Sequence, residues 1–344
     1  MKATFIKTLF PLGAVLALGF FVFRFIAESD TEENSGEATC IKIPRDESAH
    51  SEPIEWWYYT GTLQTADGEN YGFEMVVFQH MKKAKPFHRA HFAITDLKRD
   101  KFCFDAKRSP EAGVGAKEAG FNFQIGDWHI SGHAGEDEIF AAMDEYAIDL
   151  RLSAQKPMVA ASGTGRMTWG SISPFFFHYY SYTRMAVTGK LTVCGVEKSV
   201  KGQAWMDHQW GSVGRGFAGW DWISLRLDDF SEVILYVVRR GEESRLVLGS
   251  FIDKDGGLKK LSEEDVRITA TGIWESPHSQ AKYPQGWTIQ VPEIELDVKV
   301  VSVMADQEIL AVPGPYWEGL CEVSGKRRAE PIGGYAYVEL FGYR

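Results

Sequence analysis

The feature that most constrains the fold is a succession of short strand-like runs, each ended by Gly, Asp or Pro, which continues from Glu55 almost to the end of the chain. Near the C-terminus, apolar Leu296 and Val298 alternate with charged Asp297 and Lys299. A period of two residues is typical of an antiparallel strand with one buried face and one wet face. Many short strands with frequent turns predict an all-β fold of barrels or sandwiches.

A weak internal repeat predicts two domains. Residues 187–190 read VTGK and are followed by GQAW at 202–205, whereas residues 323–326 read VSGK and are followed by GYAY at 334–337. We interpret each pair as a closing hairpin of one half of the chain. Glycine-rich sequence at 211–216 breaks the strand pattern and predicts the boundary. The expected domains are residues 48–212 and 213–344.

The N-terminus carries an export signal. Lys2 and Lys7 precede an apolar run, and acidic residues follow it, so we expect the rest of the chain outside the cytoplasm. Phe25 is too large for a cleavage site, which favours an uncleaved anchor spanning residues 8–27. Residues 1–27 are therefore expected to be a signal peptide or signal anchor and 28–47 an acidic linker. The predicted location is periplasmic or extracytoplasmic, with the protein anchored to the inner membrane or secreted after cleavage.

Charge and aromatic content limit the classes of partner. The formal net charge of −10 excludes a nucleic-acid partner, which needs a basic surface. Aromatic residues make up 13% of the chain, with 11 Trp and 22 Phe. Aromatic side chains favour strands and line apolar pockets, so the expected ligand is an apolar small molecule.

Cysteine and histidine spacing predicts no metal site, and no cofactor is expected. The four cysteines lie far apart and allow three disulfide pairings or four free thiols. His88 and His91 have an odd spacing that places them on opposite faces of a strand. His129 and His133 would need a helix to align, and Gly132 with its strand-like neighbours argues against one. The sequence has no nucleophile elbow, phosphate-binding loop or dinucleotide fingerprint.

Seven blocks are denser in Trp, Tyr, His and acidic residues than an ordinary strand: His50–Gly61, His91–Asp96, Tyr179–Ser181, Gly202–Gly211, Gly219–Trp222, Tyr316–Gly319 and Glu339–Tyr343. In these blocks, which run from about His50 to Tyr343, the sequence resembles the hydroxyneurosporene synthase (carotenoid 1,2-hydratase) family. That resemblance implies two consecutive lipocalin-like β-barrels, with an apolar ligand near their junction. Members of the family include hydratases of isoprenoid double bonds, fungal hydratases and related pericyclic cyclases.

Two positions depart from the family pattern. Gln209 stands where the family usually has Glu, and Thr183 stands where Pro is usual. The first change removes a carboxyl group, so the resemblance supports the fold more firmly than hydration chemistry.

Hydration of an alkene needs a proton donor, a stabilised cation and a base that delivers water. Asp207, His208 and Trp210 are the candidate catalytic residues, because a buried carboxyl stays protonated and rings stabilise a cation. In a regular strand Asp207 and His208 point to opposite faces, so both reach one pocket only if the chain bends near Gly211. We expect His208 and Trp210, with Asp207, to line an apolar cavity at the domain junction. Bracing of that junction is an equal alternative for Asp207.

The candidate ligand-binding residues come from the same blocks and from one strand of the second domain: Glu55, Trp57, Tyr58, Tyr180, Trp205, Trp222 and Tyr236. Core packing is the alternative role for Trp57 and Trp222, and a structural hydrogen bond is the alternative for Glu55.

Two functions remain open on the sequence. One is a cofactor-independent hydratase or cyclase acting on an isoprenoid-like or lipid-like substrate. The other is a non-catalytic periplasmic lipid carrier that serves a membrane transporter. The pair Asp207 and His208 favours the enzyme, whereas Gln209 favours the carrier.

Overall fold

The computed structural model describes residues 39–83, 85–109, 119–169, 173–212, 219–239 and 245–344. The predicted anchor at 1–27 and the first part of the predicted linker lie outside the described residues. The described ranges contain strands and short 3₁₀ turns, so the expected all-β class is confirmed. In those ranges no helix has the length and apolar character needed to cross a membrane. All four cysteines are free thiols.

Within the described ranges, twelve strands form the first sheet, and every pairing in it is antiparallel. Ten of them lie in the order β4-β3-β2-β1-β12-β11-β8-β7-β6-β5, and β9 and β10 pair separately with β11. Their bounds are β1 Ile54–Thr65, β2 Asn70–Lys82, β3 Lys85–Asp96, β4 Lys101–Ser109, β5 Phe121–Ile125, β6 Trp128–His133, β7 Glu136–Ala142, β8 Tyr146–Ala154, β9 Val159–Ala160, β10 Arg166–Trp169, β11 Ser173–Val193 and β12 Val196–Gly211.

Ten strands of the described part of the chain form the second sheet, and their pairings are again all antiparallel. Nine lie in the order β16-β15-β14-β13-β22-β21-β19-β18-β17, and β20 pairs with β21. Their bounds are β13 Gly219–Leu227, β14 Glu232–Arg239, β15 Arg245–Ile252, β16 Leu258–Leu261, β17 Arg267–Glu275, β18 Lys282–Val291, β19 Leu296–Ser302, β20 Glu308–Ile309, β21 Tyr316–Arg327 and β22 Glu330–Phe341.

Strand β19 shows how local sequence determines these elements. Its apolar residues Leu296, Val298 and Val300 are buried, as the period of two predicts. The strand begins later than the apolar pattern suggests, because residues Pro292–Ile294 form a 3₁₀ turn. Glu295 ends that turn in the left-handed region, with φ of 52°.

Each sheet curls around an apolar core of its own. In the first sheet, Trp57 of β1 packs on Phe123 of β5 at 4.4 Å between ring centroids, and Phe92 of β3 packs on Trp128 of β6. These contacts join strands that are far apart in the sheet order, so the sheet must curve to bring them together. Trp287 and Trp317 occupy the corresponding core of the second sheet.

A third apolar cluster lies between the two sheets. Tyr58 and Trp205 from the first sheet pack there with Trp222 from the second. Strands β1 and β12 are therefore covered on both faces, which explains why their central residues lack hydrophobic-polar alternation. Residues 37–344 form one compact unit. The chain passes from one sheet to the other between Gly211 and Gly219, and the predicted division at 212/213 stays a prediction.

Candidate functional site

A cavity opens between the two sheets. Its volume is about 1030 Å³ when the open solvent at its mouth is included. A cleft of this kind, lined mainly by apolar side chains, suits a small organic ligand. Most of its wall is apolar and aromatic, including Trp56, Val76, Phe78, Phe177, Trp220 and Phe341.

Four carboxyl groups interrupt this apolar wall. Glu74 of β2 and Asp207 of β12 come from the first sheet, and Glu318 of β21 and Glu339 of β22 come from the second. Glu318 and Glu339 are direct cross-strand partners. Like charges placed opposite each other repel, so this pairing favours the protonated forms.

Burial raises the pKa of each carboxyl. The pKa of Asp207 rises to about 7 because it is buried, although three donors oppose the shift. Burial raises the pKa of Glu339 to about 7 as well, and electrostatic repulsion from Asp207 contributes to the shift. Burial, with repulsion from neighbouring carboxylates, holds the pKa values of Glu74 and Glu318 well above their usual range. The cavity is thus lined by carboxyl groups that retain protons near neutral pH.

Hydrogen bonds position two of these carboxyls. Asp207 accepts from the hydroxyl groups of Tyr179 (2.8 Å) and Ser181 and from the indole Nε1 of Trp205 (2.6 Å). Glu318 Oε1 accepts from the hydroxyl of Tyr58 at 2.7 Å, which joins the two sheets.

Other polar atoms of the cavity wall have no partner. Oε2 of Glu318 and the indole Nε1 of Trp222 are buried without a hydrogen bond. Unsatisfied buried polar atoms are costly, and their convergence on one space indicates that a ligand or water satisfies them.

Among the described residues, none with a permanent positive charge faces this space. None of the described residues that line the cavity is Lys or Arg. His91 and His80 do line it, but burial lowers the pKa of His91 to about 4 and also lowers that of His80. His91 Nδ1 lies 2.7 Å from the hydroxyl of Tyr316. An anionic ligand would find no permanent counter-charge among the described lining residues.

Comparison with known proteins assigns the family. The family profile described as AttH-like matches residues 35–343. The chain belongs to the AttH-like family. Among curated protein sequences, none gives a significant match.

Solved structures share the fold of this AttH-like protein. A Nitrosomonas europaea protein assigned as AttH is 28% identical, with a TM-score of 0.80, over 90% of this chain and 98% of that one. Kievitone hydratase from Nectria haematococca is 18% identical, with a TM-score of 0.71, over 88% and 95%. A protein named CghA is 12% identical, with a TM-score of 0.52, over 84% and 88%. The resemblance to the carotenoid hydratase-like, double lipocalin-like proteins is confirmed.

The cavity of the AttH-like protein contains four of the residues predicted from the sequence. Asp207, Tyr58, Trp222 and Tyr236 line it. Trp205 lies directly beside it, donating to Asp207 and packing edge-on against Trp222.

The expectation that His208 and Trp210 line this cavity is wrong. Strand β12 stays paired with β1 through residue 211 without the bend proposed near Gly211, so alternate residues keep opposite faces. Asp207 and Gln209 therefore face the junction, and His208 and Trp210 face the core of the first sheet. Three other predicted ligand-binding residues also lie outside the cavity wall, on the His208 side: Glu55, Trp57 and Tyr180.

Sequence reasoning missed the other acids. Glu318 and Glu339 lie in blocks that the sequence analysis singled out, but neither was chosen as a site residue. Glu74 stands between Phe73 and Met75 in a fully apolar run of β2. A lone carboxyl within such a run was the available signal, because an acid is rarely buried without a function or a partner.

A second polar cluster lies on the other side of β1 and β12. The carboxyl Oε1 of Glu55 is 2.7 Å from His50 Nδ1 and 2.7 Å from His208 Nε2. The three donor atoms lie within 4.8 Å of one another. His88 and His91 do not join them as a pair, because His88 contacts Gln79 and Phe123 whereas His91 faces the junction cavity.

Proposed function

We propose that this AttH-like protein is a pair of lipocalin-like barrels that binds an apolar small molecule in the junction cavity and hydrates it by acid catalysis without a cofactor. The observation that carries the proposal is the set of proton-retaining carboxyls in an aromatic, apolar wall. Two structural neighbours share this fold, and one of them, kievitone hydratase, supports a hydratase by its name.

The chemistry needs a proton and a water molecule. Asp207, protonated, gives its proton to one carbon of the double bond, and the rings of Tyr58 and Trp222 face the cation that forms on the other carbon. Glu339, ionised, accepts a proton from the water that attacks that cation. The carbon gains a hydroxyl group, and one proton is returned to the carboxyl pair.

The similar pKa values of Asp207 and Glu339 allow one carboxyl to donate a proton while the other accepts one. Because the pKa values of Asp207 and Glu339 are both raised to about 7, one carboxyl is protonated and the other ionised in much of the population near neutral pH. Turnover is therefore expected to show a bell-shaped pH profile centred near pH 7.

The cavity also restricts the ligand. Without Lys or Arg among its described lining residues, it favours an uncharged molecule over an anion. The unpartnered Oε2 of Glu318 and Nε1 of Trp222 favour a ligand with one or two polar groups on a largely hydrocarbon body.

The test begins by identifying the ligand. Lipids extracted from the purified protein are identified by mass spectrometry, and the recovered alkene is incubated with the protein in ¹⁸O-labelled water. We expect a product that has gained one labelled water molecule. Asp207→Asn should lower turnover about 10²–10⁴-fold, while Asp306→Asn, which changes an exposed acid, should not. Equal turnover in the two variants would exclude Asp207 as the acid.

A non-catalytic carrier is the second candidate. Gln209 lines the cavity where the family pattern has an acid, so one proton-transfer group is missing. A carrier would return its ligand unlabelled and would bind it with similar affinity in the Asp207→Asn variant.

We also propose that the protein acts outside the cytoplasm. The proposal rests on the charge asymmetry around the apolar N-terminal run, which attaches the chain to the inner membrane through residues 8–27. A carrier in that position would exchange its ligand with a membrane transporter. A reporter that is active only outside the cytoplasm, fused after Arg344, should be active. Activity of a reporter that works only in the cytoplasm would contradict this location.

A further inference from the structure

We propose that His50, Glu55 and His208 form a binding site for one divalent transition-metal ion, best matched by Zn²⁺. This site is separate from the junction cavity and does not depend on the proposed function. His50 and Glu55 lie in the block His50–Gly61, and His208 lies in the block Gly202–Gly211. None of the three takes part in the proposed acid catalysis.

The donor set suits zinc. Two imidazole nitrogens and one carboxylate oxygen are ligands that zinc accepts, with a fourth position left for water. The candidate donor atoms are His50 Nδ1, Glu55 Oε1 and His208 Nε2, all within 4.8 Å of one another. Glu55 and His208 are fully buried, whereas the His50 side chain is 23% exposed and gives an ion a route from solvent.

The groups around the donors hold them in position. The second oxygen of Glu55 accepts from the backbone N–H of His50 at 2.8 Å and from Gln79 Nε2 at 3.1 Å. The amide oxygen of Gln79 lies 3.0 Å from His88 Nε2, which fixes its orientation. Oε1 of Glu55 is left to face the two histidines. Partners of this kind orient metal ligands and raise their affinity.

The two imidazole rings are held in place too. His50 stacks on Trp210 with 4.1 Å between centroids and 4° between planes, and His208 stacks on Trp57 at 4.5 Å. The remaining nitrogen of His208 lies 3.3 Å from the hydroxyl of Tyr180. A hydrogen-bond partner at the outer nitrogen leaves the inner nitrogen to bind a metal.

Binding of Zn²⁺ requires the candidate ligand atoms to move slightly apart. Tetrahedral zinc sets its ligand atoms about 3.4 Å apart, whereas both histidine nitrogens now lie 2.7 Å from the carboxylate oxygen. His50 can retreat, because it lies in the segment before β1 and is partly exposed.

The test measures Zn²⁺ binding to the full-length protein, purified without a polyhistidine tag and with exposed Cys40 and Cys194 alkylated. We expect one Zn²⁺ per chain by calorimetry, and Co²⁺ should give the visible absorption bands of a low-coordinate nitrogen and oxygen site. His50→Ala should weaken binding by more than about 100-fold, and Gln79→Ala, which keeps all three ligands, by about 10–100-fold.

A matched control separates this site from surface histidines. His278 is exposed and pairs with Asp306, so His278→Ala should leave Zn²⁺ affinity unchanged. Circular dichroism confirms that each variant is folded. If wild-type protein binds no stoichiometric Zn²⁺, or if His50→Ala binds as tightly as wild type, the cluster is only a hydrogen-bonded clamp and the proposal is wrong.

Discussion

At the scale of single residues, the alternation of side chains between the two faces of β12 separates two sites. Asp207 and His208 are neighbours in sequence, but they face opposite sides of β12, each into a different cluster. Asp207 faces a space with no permanent positive charge among its described lining residues, and burial raises its pKa to about 7. His208 faces an ionised Glu55 and has a lowered pKa because burial dominates.

Asp207 is expected to make folding stability depend on pH. Its folded pKa of about 7 lies above the unfolded value of about 3.9, so the folded state holds the extra proton between about pH 4 and pH 7. The free energy of unfolding should therefore fall as pH rises through that window, by up to about 4 kcal/mol from this group. Urea unfolding of Asp207→Asn from pH 4 to pH 8 should show a shallower fall than wild type. The exposed variant Asp306→Asn serves as the control, and parallel curves for wild type and Asp207→Asn would contradict the prediction.

At the scale of elements, a bulge in β11 connects the sheets. The pairing of β11 with β12 shifts register between Tyr182 and Met185, which leaves Thr183 and Arg184 free to turn toward the second sheet. Arg184 Nε then donates to Glu232 of β14 at 2.6 Å, and Lys156 Nζ donates to the same carboxylate at 2.7 Å. Thr183, where the family usually has Pro, directs its hydroxyl to Glu232 at 3.3 Å.

Glu232→Gln is expected to destabilise the protein strongly. Lys156, Arg184 and Glu232 are all buried, so removing the only negative charge of this cluster leaves two buried cations uncompensated. Breaking a buried pair costs about 3–5 kcal/mol. Urea unfolding measures the loss.

The matched control is Glu293→Gln. Glu293 pairs with Lys259 at the exposed surface, where such a pair contributes about 0–1 kcal/mol. If Glu232→Gln and Glu293→Gln shift the unfolding midpoint equally, the buried cluster does not join the sheets as described.

At the scale of the whole molecule, the described part of the chain has two internal cores, a large apolar cluster shared between the sheets and a smaller shared cluster around Tyr316. The shared cluster needs close approach of the two sheets. A Cβ on Gly72 of β2 would lie 2.6 Å from the hydroxyl of Tyr337 and 3.1 Å from Leu320. Neither sheet can cover this face alone.

We therefore expect that the two halves will not behave as independent soluble domains. A fragment of residues 39–212 exposes Tyr58, Phe177 and Trp205, which the second sheet buries in the whole chain. It should aggregate or bind a hydrophobic dye, and co-expression with residues 213–344 should restore solubility. A monomeric fragment with native-like circular dichroism and no dye binding would show that the first half folds alone.

The all-β class, much of the strand pattern and the family resemblance can be predicted from the sequence alone. Alternation in β19, turn residues and the aromatic blocks are local signals, and each is readable from a few neighbouring residues. The same signals identified Asp207, Tyr58, Trp222 and Tyr236, which the structure brings together in one cavity.

Which face of a strand lines the junction cavity and which carries the His50, Glu55 and His208 cluster depends on the tertiary structure. Where both faces of β1 and β12 are buried, alternation no longer distinguishes inside from outside, so the sequence could not show whether the Asp207 face or the His208 face opens on the cavity. Glu74, Glu318 and Glu339 meet because β2 packs against β21 and β22, and His50 meets His208 because the segment before β1 folds over the first sheet. Contacts between residues more than a hundred positions apart leave no local periodicity, which is the physical reason that the sequence could not reveal them.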